Sequence, residues 1–321
     1  MLIAGAGLAR NHVRRFMVSS LRIVTNTTRQ QRHKHQLKAH PTSTPRSNQG
    51  SPGGMVKRFT IAASCLLGHT LASRHTLAST SCPAIGPPAA SARWVVLFLH
   101  PLGDSGLDAS RELARHDAGG FVSGMEEAGV RILFPSATPI PYTLKGGRMT
   151  RAWYDRSGLP PTAAEQPASI EASVARLEEM LRELEASGVP PSRVVVGGFS
   201  QGGGIALQLA FRGSKLGAAL AGTFTLSSYV CDDSPLWQAV AAAPRRPPVF
   251  FRHGDRDAYI LPAWGEATAT KLGKLGVQVD FALEPRLGHS MAHDELASLT
   301  AWLHRTLGTG VGAGVKGRVA A

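Results

Sequence analysis

From Trp94 onward, apolar runs of strand length alternate with longer segments whose apolar residues recur every three or four positions. That alternation predicts an α/β fold, a mostly parallel sheet with helices on both faces. Strands are expected at WVVLFL (94–99), VRILF (130–134), RVVVGGF (193–199), within AALAGTFTLSS (218–228), at PVFFRH (248–253) and at VQVDFALE (277–284). Their near-continuous Val, Leu and Phe content means burial on both faces. The clearest helix covers 168–187, where Ile170, Val174, Leu177, Leu181 and Leu184 share one face, Glu178 and Arg182 pair on the solvent side, and Gly188 and Pro190 end it. A second helix opens directly after Ser200. Its Ile205, Leu207, Leu209 and Phe211 are apolar nearly all round, which predicts a buried position. Two more are expected over 262–275 and 292–307, so residues 94–307 read as one domain and 308–321 as a flexible tail.

Charge divides the chain at the same point. Residues 1–93 carry 13 Lys or Arg and no Asp or Glu, which accounts for the whole formal +13 and leaves 22 basic against 22 acidic residues beyond them. The basic balance therefore belongs to an extension and not to a binding face, and nucleic acid is not an expected partner. The extension is rich in Ser, Thr, Arg, His and Pro, and should not pack a core. An organelle transit segment has this acid-free composition, and Arg10, Arg14, Arg15 and Arg22 fit one. A disordered extension fits equally, and Met17 or Met55 could also start the chain; from Met55, MVKRF followed by apolar residues weakly resembles a secretory signal that His69 interrupts. A plastid or mitochondrial location thus stays open beside a cytoplasmic one. No run of 18 apolar residues occurs, so an integral membrane protein is not expected. Cys65, Cys82 and Cys231 show neither a disulfide framework nor metal-type spacing. No metal or cofactor is expected.

The chemistry concentrates in three places. Gly198-Phe199-Ser200-Gln201-Gly202 spells G-x-S-x-G directly after the RVVV strand and before the buried helix, the setting in which a tight strand-to-helix turn presents a nucleophilic serine. With Ser200 as nucleophile, the chain order Ser, acid, His predicts Asp257, just past PVFFRH in HGDRD, and His289, past VQVDFALE in EPRLGHS. Both lie at strand carboxyl ends, where open α/β sheets bind ligands. Asp255 is a rival acid and His293 a rival base. Oxyanion donors are expected from the amides of Gln201 and of Leu102, in the HPLGDSG loop after the first strand.

Several ordered segments together resemble one family: FLHPLGDSG, ILFPSATPIPYTLKGGRMTRAWYD, GGFSQGG, LSSY, HGDRD, and PAWGEATATKLGKLG followed by GH. They resemble the acyl-protein thioesterases and carboxylesterases related to lysophospholipases, over about residues 94–303. The resemblance implies an α/β-hydrolase fold, the triad Ser200, Asp257 and His289, and an oxyanion hole of Leu102 and Gln201. It also implies an acyl-chain channel bordered by the loop 135–160, with Trp153 and Leu144 as substrate-binding residues. The implied substrate is an acylated protein or lipid: long-chain acyl thioesters on protein cysteines first, then lysophospholipids or small carboxylic esters. Cytoplasmic location and the absence of a cofactor are implied too. Pro101 departs from the family's glycine after His100, and Arg286 stands where a glycine often precedes the GH pair. Arg256 and Tyr259 beside the acid also differ from the usual residues.

A non-catalytic ligand receptor on the same fold is the reading of another class, and an intact Ser, Asp and His argues against it. The GTGVGA run at 308–313 lacks the strand and βαβ unit of a nucleotide site, and no H-E-x-x-H metal motif occurs. Oligomeric state leaves no mark in the sequence.

Overall fold

The computed structural model describes residues 82–89, 91–115 and 120–309. The expectations for residues 1–81 and for the tail from 310 lie outside the described residues. In chain order the elements are β1 (Ala84–Ile85), β2 (Trp94–Leu99), α1 (Gly106–Arg115), α2 (Phe121–Glu127), β3 (Val130–Leu133), β4 (Pro139–Tyr142), β5 (Arg148–Arg151) and α3 (Pro167–Ala186). They continue with β6 (Val194–Phe199), α4 (Gln201–Arg212), α5 (Lys215–Ala218), β7 (Gly222–Leu226), α6 (Leu236–Ala242), β8 (Val249–Gly254), α7 (Pro262–Lys274), β9 (Val279–Glu284) and α8 (His293–Leu307).

Seven strands form one sheet in the order β1-β3-β2-β6-β7-β8-β9. All neighbours are parallel except β1, which runs antiparallel to β3 through Ala84 opposite Leu133 and Ile85 opposite Ile132. The sheet thus begins upstream of Trp94, in a two-residue strand too short to show periodicity. β4 and β5 form a separate antiparallel ribbon inside the segment expected to be loop.

Each strand feeds two cores because successive side chains point to opposite faces. Val95, Leu97 and Leu99 join Ile170, Leu177, Leu207 and Leu209 of α3 and α4. Val96 and Phe98 join Leu113, Met125, Leu299 and Trp302 of α1, α2 and α8 on the other face. Gly197 in β6 is required by this packing: a Cβ there would meet the Phe224 ring at 2.2 Å.

Two expectations need correcting. The strand sought over 218–228 is confined to Gly222–Leu226, because Lys215–Ala218 closes a short helix capped by the Ser214 hydroxyl, which accepts from the Leu216 amide at 3.3 Å. Glu178 does not lie on the solvent side of α3. It is buried and accepts from the Ser214 amide, while its contact with Arg182 is a loose 3.5 Å.

Glu295 opens α8 as a fully buried carboxyl whose Oε2 accepts weakly from the Ala292 amide at 3.4 Å and whose Oε1 has no hydrogen-bond partner among the described residues. Burial pushes it from its ordinary 4.5 up to about 8, against the weak Ala292 bond. The folded state therefore holds a proton that the unfolded state releases above about pH 4.5. Stability contributed below that pH is lost as pH rises toward 8, by about 3 kcal/mol at neutrality. Glu295→Gln should melt several degrees above the wild type at pH 8 and close to it at pH 4.5; equal differences at both pH values would contradict a neutral buried carboxyl.

Candidate active site

Ser200 stands between the last residue of β6 and the first of α4, with φ 54° and ψ −121°. L-residues rarely adopt this conformation, which costs about 1–3 kcal/mol. The turn is held by a bond from the Ser200 amide to the Leu226 carbonyl at 2.8 Å and by amides of Gly203 and Gly204 donating to the Ser200 carbonyl. The flanking glycines are steric necessities: a Cβ at Gly198 would lie 2.2 Å, and one at Gly202 2.0 Å, from the Leu99 carbonyl oxygen.

His289 bridges the other two candidates. Its Nδ1 lies 2.7 Å from Asp257 Oδ2 and its Nε2 lies 3.0 Å from Ser200 Oγ. Because a carboxylate only accepts, Nδ1 carries the proton and Nε2 presents a lone pair to the serine hydroxyl. Asp257 is buried, and its Oδ1 accepts from the amides of Tyr259 at 2.8 Å and Ile260 at 2.9 Å. Burial opposes its ionisation, but the donors around it, His253, His289 and the Ile260 amide, outweigh burial and hold the carboxyl well below the ordinary carboxylate range. His253 is the weaker of the two imidazole partners, since its Nε2 donates to the Ile260 carbonyl at 2.8 Å and only grazes Asp257 at 3.4 Å. Phe199 and Tyr259 flank the His289 ring, with centroids at 4.8 and 5.8 Å. The rivals lie elsewhere: Asp255 is exposed, and His293 begins α8 on the surface with Asp294 as its neighbour.

The two candidate oxyanion donors border the same cavity as Ser200. Gln201 is the first residue of α4, so its amide has no acceptor within the helix. Its side chain has a role that spacing could not reveal: Oε1 accepts from the Trp153 amide at 2.9 Å and Nε2 donates to the Tyr154 carbonyl at 2.8 Å. In the β2 loop, His100 is fully buried. Its Nδ1 donates to the Pro101 carbonyl at 2.7 Å and its Nε2 accepts from the Ala137 amide at 2.9 Å. Burial lowers the His100 pKa and keeps the ring neutral, as this pair of bonds requires. In a trans peptide the N–H points opposite the C=O, so fixing the Pro101 carbonyl also fixes the direction of the Leu102 amide. The Gly103 amide is already committed to the Arg151 carbonyl at 2.8 Å. Proline at 101 removes only its own amide, and the loop keeps its donor.

Trp153 and Leu144, expected at the substrate, do not line this cavity. Trp153 is buried behind the loop: its indole N–H donates to the His100 carbonyl at 2.9 Å and its ring packs 5.1 Å from the imidazole. Leu144 sits in the turn between β4 and β5. The cavity instead receives Tyr142, Tyr154 and Arg156 from that segment and Ser227, Ser228 and Tyr229 from the LSSY segment at the end of β7; of these, Arg156 alone lies outside the segments that carry the family resemblance. Arg286, where the family often has glycine, has φ 61°, so its conformation is the one glycine would have relieved.

The sequence profile of the phospholipase/carboxylesterase family matches residues 80–307. The chain belongs to that family. A lysophospholipase-like protein 1 from Mus musculus is 34% identical over 210 residues, 65% of this chain and 84% of its own length. Acyl-protein thioesterase 1 of Neurospora crassa is 30% identical, over 70% of this chain and 91% of its own. The crystal structure of Arabidopsis thaliana SOBER1 is similar with a TM-score of 0.57 at 28% identity, covering 67% of this chain and all of that one. Membership of the phospholipase/carboxylesterase family makes the chain a hydrolase of α/β-hydrolase fold, as the parallel sheet and its flanking helices are arranged to be. Among the described residues no helix is long and apolar enough to cross a membrane.

Proposed function

We propose that the chain is a serine hydrolase of acyl thioesters and carboxylic esters, with Ser200 as nucleophile, His289 as general base and Asp257 as the acid that orients it. The observation that carries this reading is the imidazole bridge, 2.7 Å to the carboxylate on one nitrogen and 3.0 Å to the hydroxyl on the other. His289 Nε2 takes the Ser200 proton as Oγ bonds to the acyl carbon, and the Leu102 and Gln201 amides stabilise the oxyanion. The imidazolium then returns the proton to the leaving thiol or alcohol. A water, deprotonated in turn by His289, releases the acid and restores Ser200. The names of the relatives support an acylated protein as substrate, with lysophospholipids and small carboxylic esters as alternatives.

The test is labelling of the full chain with a fluorophosphonate, which reacts with activated serines, followed by mass mapping of the adduct. One adduct on Ser200, absent from Ser200→Ala, is expected. A folded chain that takes no label would move the non-catalytic receptor reading ahead of this one.

A further inference from the structure

We propose that the cavity beside Ser200 takes a short acyl group ending in a carboxylate, with Arg156 as the residue that recognises its charge. The proposal deepens the acyl-transfer reading and rests on it.

Among the described residues Arg156 is a cation with no carboxylate in ion-pair contact. Its Nη1 donates to the Tyr229 hydroxyl at 2.5 Å and approaches Cys231 Sγ at 3.5 Å, and its Nη2 donates to the Tyr154 hydroxyl at 3.2 Å. The guanidinium carbon lies 4.4 Å from the Tyr229 ring centroid and 5.1 Å from that of Tyr154. Among the described residues no carboxylate oxygen comes within 4.0 Å of its nitrogens. The neighbouring acids are committed elsewhere. Asp155 accepts from the Thr143 amide and hydroxyl and from the Arg156 backbone, and Glu165 pairs with Arg212 at 3.0 Å and also accepts from Gln208 and Ser234. Phenols and ring faces orient a guanidinium without neutralising it, and a largely desolvated charge left in that state is costly to the fold. An arriving carboxylate would supply the missing charge and match the planar fork of donors.

Ser227 gives a second, independent sign. It lines the same cavity and is fully buried, with no hydrogen-bond partner for its hydroxyl among the described residues and a left-handed φ of 50°. A strained backbone thus holds an unsatisfied hydroxyl in the wall that also holds the unneutralised cation. The cavity's volume of about 50 Å³ favours a short occupant. The acyl side, not the leaving-group side, follows from His289. The leaving atom must lie within reach of the proton on its Nε2. His289 does not border this cavity, whereas Ser200 and the two oxyanion residues do.

The proposal is tested on the full chain with two neutral-thiol thioesters of glutaric acid, one with its far carboxyl free and one with it methylated, by following thiol release. Wild type should favour the free acid in kcat/KM by about tenfold or more, the range of a charge-assisted hydrogen bond. That ratio should fall at least tenfold in Arg156→Gln and recover in part in Arg156→Lys, which a merely structural role would not do. A wild-type ratio at or below one, with the methylated thioester turned over, overturns the proposal even if Arg156→Gln fails to fold. If Ser200 takes the fluorophosphonate but neither thioester is cleaved, this proposal falls alone. If Ser200 takes no label either, the acyl-transfer reading falls and carries the proposal with it.

Discussion

Ser200→Ala should lower turnover by about five orders of magnitude or more while leaving the fold intact, because the hydroxyl is the atom that bonds to substrate and no neighbour replaces it. Nucleophile deletions in triad enzymes lose on the order of a millionfold in kcat, the residue coming from binding and the oxyanion donors. The Leu102 and Gln201 amides survive the substitution, so a slow hydrolysis by bound water should persist. A loss of tenfold or less would mean that Ser200 is not the nucleophile. The same position predicts a separation of stability from activity. Alanine keeps the strain of φ 54° and ψ −121°, whereas glycine adopts that region freely. Ser200→Gly should therefore be as inactive as Ser200→Ala and more stable than it by about 1 kcal/mol, the relief of strain exceeding the added flexibility of the unfolded chain. A glycine variant that melts below the alanine variant would show that the elbow is not a store of strain.

Why Ser200 could be found without coordinates, and Arg156 could not, is a matter of how far apart the partners lie. The elbow is a local device: a Val run, G-x-S-x-G and an all-round apolar helix lie within about 20 consecutive residues, and both glycines are fixed by contacts to the adjacent strand β2. Asp257 and His289 were legible because parallel strands end on the same edge, so any acid or imidazole just beyond a strand is carried to that edge. Asp255 and Asp257 shared that signal; the carboxylate that turns inward was separated only by its bonds to Tyr259, Ile260 and His289. The cavity wall had no such rule. Arg156 meets Tyr229 across 73 positions of chain, and Gln201 reaches Trp153 across 48. Pro139 and Pro141 hid the β4–β5 ribbon, since proline argues against a strand unless it lies at an edge, and this two-stranded ribbon is all edge. Trp153 was expected at the substrate through the family resemblance of its loop, but its indole closes the back of the oxyanion loop.

Asp257→Asn tests the remaining member of the triad by changing one atom and no volume, and should lower kcat about ten-thousandfold with little change in KM. Asp257 Oδ1 accepts two backbone amides, from Tyr259 and Ile260, which cannot turn away. An asparagine must place its carbonyl oxygen there, and its NH₂ is then forced toward His289 Nδ1, where Oδ2 had been at 2.7 Å. A donor facing Nδ1 requires that nitrogen to accept, so the ring proton moves to Nε2. Nε2–H then points at Ser200 Oγ from 3.0 Å and has no lone pair with which to take its proton. The loss should thus come from the wrong tautomer and not from a displaced ring, and such losses run to about four orders of magnitude. Two readouts separate this from structural damage. Thermal stability should fall by an amount set by the lost charge, while activity should recover in part at high pH, where hydroxide can attack the bound acyl group without a base. A variant that keeps a tenth or more of wild-type kcat would mean that the two backbone amides, and not the carboxylate, suffice to orient His289.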